Sequence, residues 1–221
     1  MISAVIERTI PARTHGRYLV VPPAVSQSAP VLVGFHGYAE TAETHLARLR
    51  AIPGAERWLV VSIQGLHRFY QRRTNEIIAS WMTRQDRELA IADNLSYVAS
   101  VVDAVAHEWP VSRRLVFAGF SQGVAMTFRA AVASSPEVAG VIAAGGDVPP
   151  EIDVAALARV GAALVCRGSR DEWYTSDKFN NDVQRLRAAA IDVHPLEFDG
   201  GHVWSDEVVH AASEFLRGRE R

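Results

Sequence analysis

A chain of 221 residues, 48% hydrophobic and 22% charged with a formal net charge of −2, has the size and composition of one globular domain with a large core. Its slight acidity argues against nucleic acid or an anionic membrane as a partner, and a lone cysteine, Cys166, excludes an internal disulfide. No signal peptide and no apolar stretch of membrane-spanning length is expected, which leaves the cytoplasm as the default compartment.

No repeat or low-complexity tract interrupts the chain. Residues 3–10 and 18–21 read as strands around the turn-forming Thr14-His-Gly16, and Pro22-Pro23 and Ser26-Gln-Ser28 make a connection. The apolar run at 31–35 suits a strand covered on both faces and ends in His36-Gly37-Tyr38-Ala39. A short helix with Leu46 and Leu49 inward closes at Pro53-Gly54, and 58–63 is the next buried strand. Residues 64–85 form the one long irregular segment, in which Phe69, Tyr70 and Trp81 stand among arginines. Long loops in compact domains are usually functional, so this one is expected to lie over a substrate cleft rather than on nucleic acid.

Ile91, Leu95, Val98, Val102, Val105 and Trp109 alternate in steps of four and three, the pattern of a helix packed on a core, and Pro110 stops it. Two further buried strands are expected at 140–144 and at 162–167, where Cys166 reads as a small core residue, and 191–198 is expected to form the last strand. Between the last two, Ser176 can cap a helix with Phe179, Val183, Leu186 and Ala190 inward. Ser205, followed by Asp206 and Glu207, opens the final helix in the way its dipole favours. Strands alternating with helices predict a mostly parallel central sheet with helices on both faces.

The chemistry centres on Leu115-Val-Phe-Ala-Gly119-Phe-Ser121-Gln-Gly123. An apolar strand runs into Gly-x-Ser-x-Gly and then into a helical pattern, the context of a nucleophile elbow. Ser121 at the apex needs a strained backbone to lift its hydroxyl clear, and Gly119 and Gly123 remove side chains where strand and helix nearly touch. A serine is a poor nucleophile until a base takes its proton, and a carboxylate must orient that base. Ligands gather at the carboxyl ends of strands in open α/β sheets, and successive strand ends here carry His36, Ser121, Asp147, Asp171 and His202. Chain order makes His202 the candidate base, with His36 in a structural role under the loop after the 31–35 strand. Asp171 is the candidate acid and Asp147 its rival, while Asp177 reads as a helix cap. The backbone N–H groups of Gln122 and Tyr38 are the candidate donors to an oxyanion.

Phe35-His-Gly-Tyr38, Gly119-Phe-Ser-Gln-Gly123, Gly168-Ser-Arg-Asp171 and Gly201-His202 together resemble the α/β-hydrolase superfamily, in its phospholipase/carboxylesterase branch that includes acyl-protein thioesterases. Ser80-Trp81 is similar to a tryptophan-containing segment which that branch places beside its active site. The resemblance implies ester or thioester hydrolysis with no cofactor and no metal. Three departures stand out: Ala39 where a glycine is frequent, Val124 where a small residue is usual, and Glu172-Trp173-Tyr174 after the acid. Val124 is expected to push strand and helix slightly apart.

The expectation is one α/β-hydrolase domain over 1–221 without a large cap domain. It would cleave carboxylic esters of short-to-medium acyl chains through an acyl-enzyme, with Tyr38, Trp81, Trp173 and Trp204 as candidate cleft walls, Trp81 and Trp173 foremost. A thioester, lysophospholipid or lactone hydrolase using the same residues is the alternative, followed by a non-hydrolytic binding protein of the same fold. The expected partner is a small-molecule ester, with no membrane insertion, and the chain is expected to act as a monomer or homodimer.

Overall fold

The computed structural model of the chain describes residues 5–24, 28–135 and 137–220. Its elements run β1 (Arg17–Val21), β2 (Ala29–Phe35), α1 (Ala42–Arg50), β3 (Leu59–Gln64), β4 (His67–Tyr70), β5 (Ile77–Ser80), α2 (Arg87–Glu108), β6 (Val111–Phe120), α3 (Gln122–Ala133), β7 (Gly140–Ala144), α4 (Val154–Leu157), β8 (Ala162–Gly168), α5 (Ser176–Ala188), β9 (Asp192–Phe198) and α6 (Asp206–Arg217). Seven strands form one sheet in the order β1-β3-β2-β6-β7-β8-β9. Only β1 is antiparallel to its neighbour.

Alternation along each strand explains the two layers of core. Val31, Val33 and Phe35 of β2 with Leu115 and Phe117 of β6 face one side, where Val98 and Val105 of α2 and Phe128 of α3 belong to the same core, and Leu186 of α5 extends it over β8. Leu32, Val116 and Ala118 face the other side, against Leu49 of α1 and Val208, Ala212 and Phe215 of α6. Side chains on a strand point alternately to opposite faces, so a sheet covered twice needs apolar residues at nearly every position. Thr41 and Ser205 cap α1 and α6, their hydroxyls accepting the N–H groups of Thr44 and Val208.

Several expectations need correction. Residues 5–10 form no strand: Val5, Ile6 and Ile10 are exposed and pair with nothing among the described residues, while Ser3 lies outside them. The segment 64–85 is not irregular throughout, because β4 and β5 pair as an antiparallel hairpin from His67↔Ser80 to Tyr70↔Ile77. Thr175 rather than Ser176 takes the N-cap position of α5, and Ala190 lies beyond its end in a left-handed conformation. Helix α2 is long and apolar enough, by length and composition, to cross a membrane. It nonetheless packs one face on the sheet, through Ile91, Val98, Val101 and Val105.

Between β7 and β8 the chain has room only for α4, so no large cap stands over the carboxyl ends of the strands. The far edge of the sheet is β9, whose Asp192, His194, Pro195 and Glu197 are exposed.

Candidate active site

The turn from β6 into α3 holds Ser121 at φ 52° and ψ −119°. That backbone is strained for any residue with a side chain, at a cost of roughly 1–3 kcal/mol. The glycines on either side are required by contact. A Cβ on Gly119 would lie 2.3 Å from Thr127 Oγ1, and one on Gly123 only 2.1 Å from the Phe35 carbonyl oxygen. Helix α3 is thus in close contact with the end of β2 at Gly123 and with Gly119 of β6, where a Cβ would also lie 2.8 Å from the Gly123 carbonyl group. The Val124 side chain fills space beside Gly146, where a Cβ would approach Val124 Cβ to 2.8 Å.

Two and three strands along the sheet, the loops after β8 and β9 bring Asp171 and His202 to this hydroxyl. His202 Nε2 is 2.8 Å from Ser121 Oγ, and His202 Nδ1 is 2.8 Å from Asp171 Oδ2. With Nδ1–H donating to the carboxylate, Nε2 is left as an acceptor for the serine O–H. Asp171 is almost fully buried, and its Oδ1 accepts the backbone N–H groups of Trp173 and Tyr174, both at 2.9 Å. Its orientation is therefore fixed from behind. Asp147 points elsewhere: its half-exposed carboxylate is 3.2 Å from Lys178 Nζ. Asp177 sits in the first turn of α5.

The loop after β2 is built around a buried histidine. His36 Nδ1–H donates to the Gly37 carbonyl at 2.6 Å, and Nε2 accepts the Gly65 N–H at 2.9 Å. Both contacts require a neutral ring, and burial lowers its pKa from the ordinary histidine value. Glu40 accepts the Gly37 N–H at 2.8 Å and holds Arg48 through two bonds of 2.6 and 2.7 Å, while the Arg48 guanidinium lies 4.3 Å above the Phe120 ring. The N–H of Tyr38 has no acceptor among the described residues, and the N–H of Gln122, in the first turn of α3, has none within the helix.

Trp81 is not a cleft wall. It is fully buried, its indole N–H donates to the His36 carbonyl at 2.8 Å, and its ring packs on His36 with centroids 5.1 Å apart. The Gln122 side chain fastens the same segment to the elbow. Its Oε1 accepts the Trp81 N–H at 3.0 Å and its Nε2 donates to the Met82 carbonyl at 3.0 Å. Tyr38, Trp173 and Trp204 do line the cleft, with Phe120, Val203, His202 and Ser121, around a volume of about 630 Å³. Glu40 and Arg48 also line it and carry no sequence signal, because neither sits in a motif.

A mainly parallel sheet that gathers serine, histidine and carboxylate at its carboxyl edge, in that hydrogen-bonded order, defines the α/β-hydrolase class. The chain belongs to the phospholipase/carboxylesterase family, whose sequence profile matches residues 18–219. It is therefore a hydrolase of the carboxylesterase and phospholipase kind. Among solved structures it is similar to a carboxylesterase of Bacillus cereus, with 18% identity, a TM-score of 0.72, and coverage of 92% of this chain and 94% of the other. It is also similar to acyl-protein thioesterase 2 of Zea mays, with 16% identity, a TM-score of 0.74, and coverage of 94% and 100%. A Mesorhizobium loti carboxylesterase stands at 18% identity, TM-score 0.74, and coverage of 92% and 95%. At these identities the likeness concerns the fold. No curated protein sequence matches the chain.

Proposed function

We propose that the protein hydrolyses carboxylic esters of short-to-medium acyl chains through a covalent acyl-enzyme on Ser121. The observation that carries this reading is the unbroken relay from Asp171 through His202 to Ser121, with 2.8 Å at each link. Ser121 Oγ attacks the ester carbonyl carbon while His202 Nε2 takes the hydroxyl proton. The carbonyl oxygen becomes an oxyanion facing the N–H groups of Gln122 and Tyr38, which have no competing acceptor among the described residues. Collapse breaks the bond to the alcohol, which leaves with the proton from His202. Water then repeats the sequence on the acyl-enzyme, releasing the acid and restoring Ser121. Throughout, Asp171 orients the imidazole and balances its transient charge.

The aromatic cleft supports modest acyl groups: Tyr38, Phe120, Trp173 and Trp204 supply apolar wall on one side of Ser121. Thioesters and lactones fit the same chemistry, so the test compares them. Wild-type protein should label with a fluorophosphonate and hydrolyse p-nitrophenyl esters best at short or medium chain length, while Ser121→Ala does neither. Asp171→Asn should lower kcat by roughly 10⁴-fold, with Asp147→Asn near wild type. Near-normal turnover in Asp171→Asn would refute the assignment of the acid, and a wild type that neither labels nor turns over would refute the hydrolytic reading. Running matched thioesters and lactones in the same assay ranks the bond types.

A further inference from the structure

Resting on that hydrolytic reading, we infer that a second, basic arm of the cleft receives an anionic group carried by the alcohol part of the substrate. Two cavities meet at Ser121 and Trp173, one on each side of the nucleophile. The first is the aromatic cleft already assigned to the acyl chain. The second, about 340 Å³, is lined on its charged side by Arg87, Arg129 and Lys178, with Asp147 as the one carboxylate in its wall.

Of the charged side chains in its wall three are cations and one is a carboxylate, in a chain whose net charge is −2. Arg129 is nearly buried and donates from Nε and a terminal nitrogen to one Glu151 oxygen, at 2.8 and 2.5 Å. Arg87 shares that same carboxylate, at 3.7 Å, and reaches Glu88 at 2.7 Å. Neither Glu151 nor Glu88 lines the cavity, so these carboxylates back the guanidiniums without covering their cavity side. Lys178 is held over the opening by the Trp173 carbonyl at 2.9 Å and Asp147 at 3.2 Å. The ion pairs of Arg87 and Arg129 thus turn their cationic ends to the cavity and their carboxylates away from it, which favours an anion in this concave wall beside the reacting bond. Pro149 and Pro150 stiffen the opposite side of this arm and bring no N–H donors of their own.

The division of the cleft places the two halves of an ester. An apolar acyl group belongs among aromatic rings, and a carboxylate or phosphate on the leaving group belongs beside the arginines and the lysine, where charge-assisted bonds are strongest. Trp173, 76% exposed, stands between the two arms and keeps them distinct.

The test compares phenyl butyrate, 4-carboxyphenyl butyrate and 4-phosphonophenyl butyrate on the wild type, Arg87→Gln, Lys178→Gln and the double variant. The readout is the ratio of kcat/KM for each anionic ester to that for the neutral one in the same protein, which cancels any loss of folded enzyme. The ratio should fall roughly three- to fivefold for each charge removed, the range of a partly exposed ion pair, and 0.5 M NaCl should lower it in the wild type. The relative size of the carboxylate and phosphonate effects tells which anion the arm prefers. A ratio unchanged in the double variant for both anionic esters would overturn the inference and leave the hydrolytic reading intact. So would a charge effect confined to mono-p-nitrophenyl glutarate, whose anion lies on the acyl side. Absence of turnover of every ester by the wild type would instead overturn the hydrolytic reading, and the inference with it.

Discussion

Ala39 holds φ at 58° in the loop between β2 and α1, a region in which an L-residue pays roughly 1–2 kcal/mol. The position is pinned there because its N–H donates to the Ala79 carbonyl at 3.0 Å, tying the loop to the hairpin. The family's frequent glycine at this point has its physical reason in that dihedral angle. Ala39→Gly should therefore stabilise the protein by about 0.5 kcal/mol net of the added freedom of the unfolded chain. Thermal unfolding should register this as a rise in Tm of about 1–2 °C; a fall would mean that the Ala39 methyl contributes more by packing than it costs in strain. The elbow was readable from sequence for a related reason. Gly119 answers a demand set by the turn and the first turns of α3, and Gly123 one set by the Phe35 carbonyl at the end of β2, yet both fall at a fixed spacing around the serine that announces them. Trp81 was not readable in this way, since a tryptophan suits a cleft wall and a core equally well, and only its indole bond to the His36 carbonyl decides between them.

Among elements, the segment 80–82 acts as a brace between the elbow and the loop after β2. Gln122 grips it from α3, Asn94 of α2 donates to the Trp81 carbonyl at 2.7 Å, and Trp81 in turn steadies His36. Trp81→Phe keeps most of the buried area but leaves the His36 carbonyl without its donor. It should cost about 1–3 kcal/mol in chemical denaturation. If the brace places the Tyr38 N–H for the oxyanion, kcat should fall more than KM rises. Equal stability loss with unchanged kcat would confine Trp81 to packing. The hairpin joined to this brace escaped the sequence reading because β4 is exposed at all four positions. Without a buried face there is no two-residue alternation to detect. Residues 5–10 show the converse: a strand-like pattern says nothing about whether a partner strand is available. The central strands were plain because burial on both faces demands apolar residues throughout.

For the molecule as a whole, two buried histidines set how stability responds to acid. His45 is fully enclosed, its Nε2–H donating to the Ala118 carbonyl at 3.1 Å, and burial pushes its pKa down to about 3. His36 is shifted in the same direction by the same cause. Both rings stay neutral in the fold and take up protons near pH 6.5 once unfolded. The unfolded state thus binds more protons below that pH, and stability declines as pH falls from about 6.5 towards 3. Each such histidine contributes a slope of up to about 1.4 kcal/mol per pH unit. Unfolding free energies of wild type and His45→Gln from denaturant titrations should diverge with pH by about half a proton at pH 6.5 and close to one at pH 5, and parallel curves would contradict the enclosure of His45. Below about pH 4.5 the carboxylate of Glu43, held down by its bond to Arg17, joins the decline as it protonates.

The last strand has a bearing on how copies of the chain can associate. In β9, Pro195 offers no N–H, and Asp192, His194 and Glu197 crowd the open margin with polar groups. Such a border resists templating a further strand. A pair of these molecules joined into one continuous fourteen-stranded ribbon through that margin is thereby disfavoured, and self-association, where it happens, must press other surfaces together.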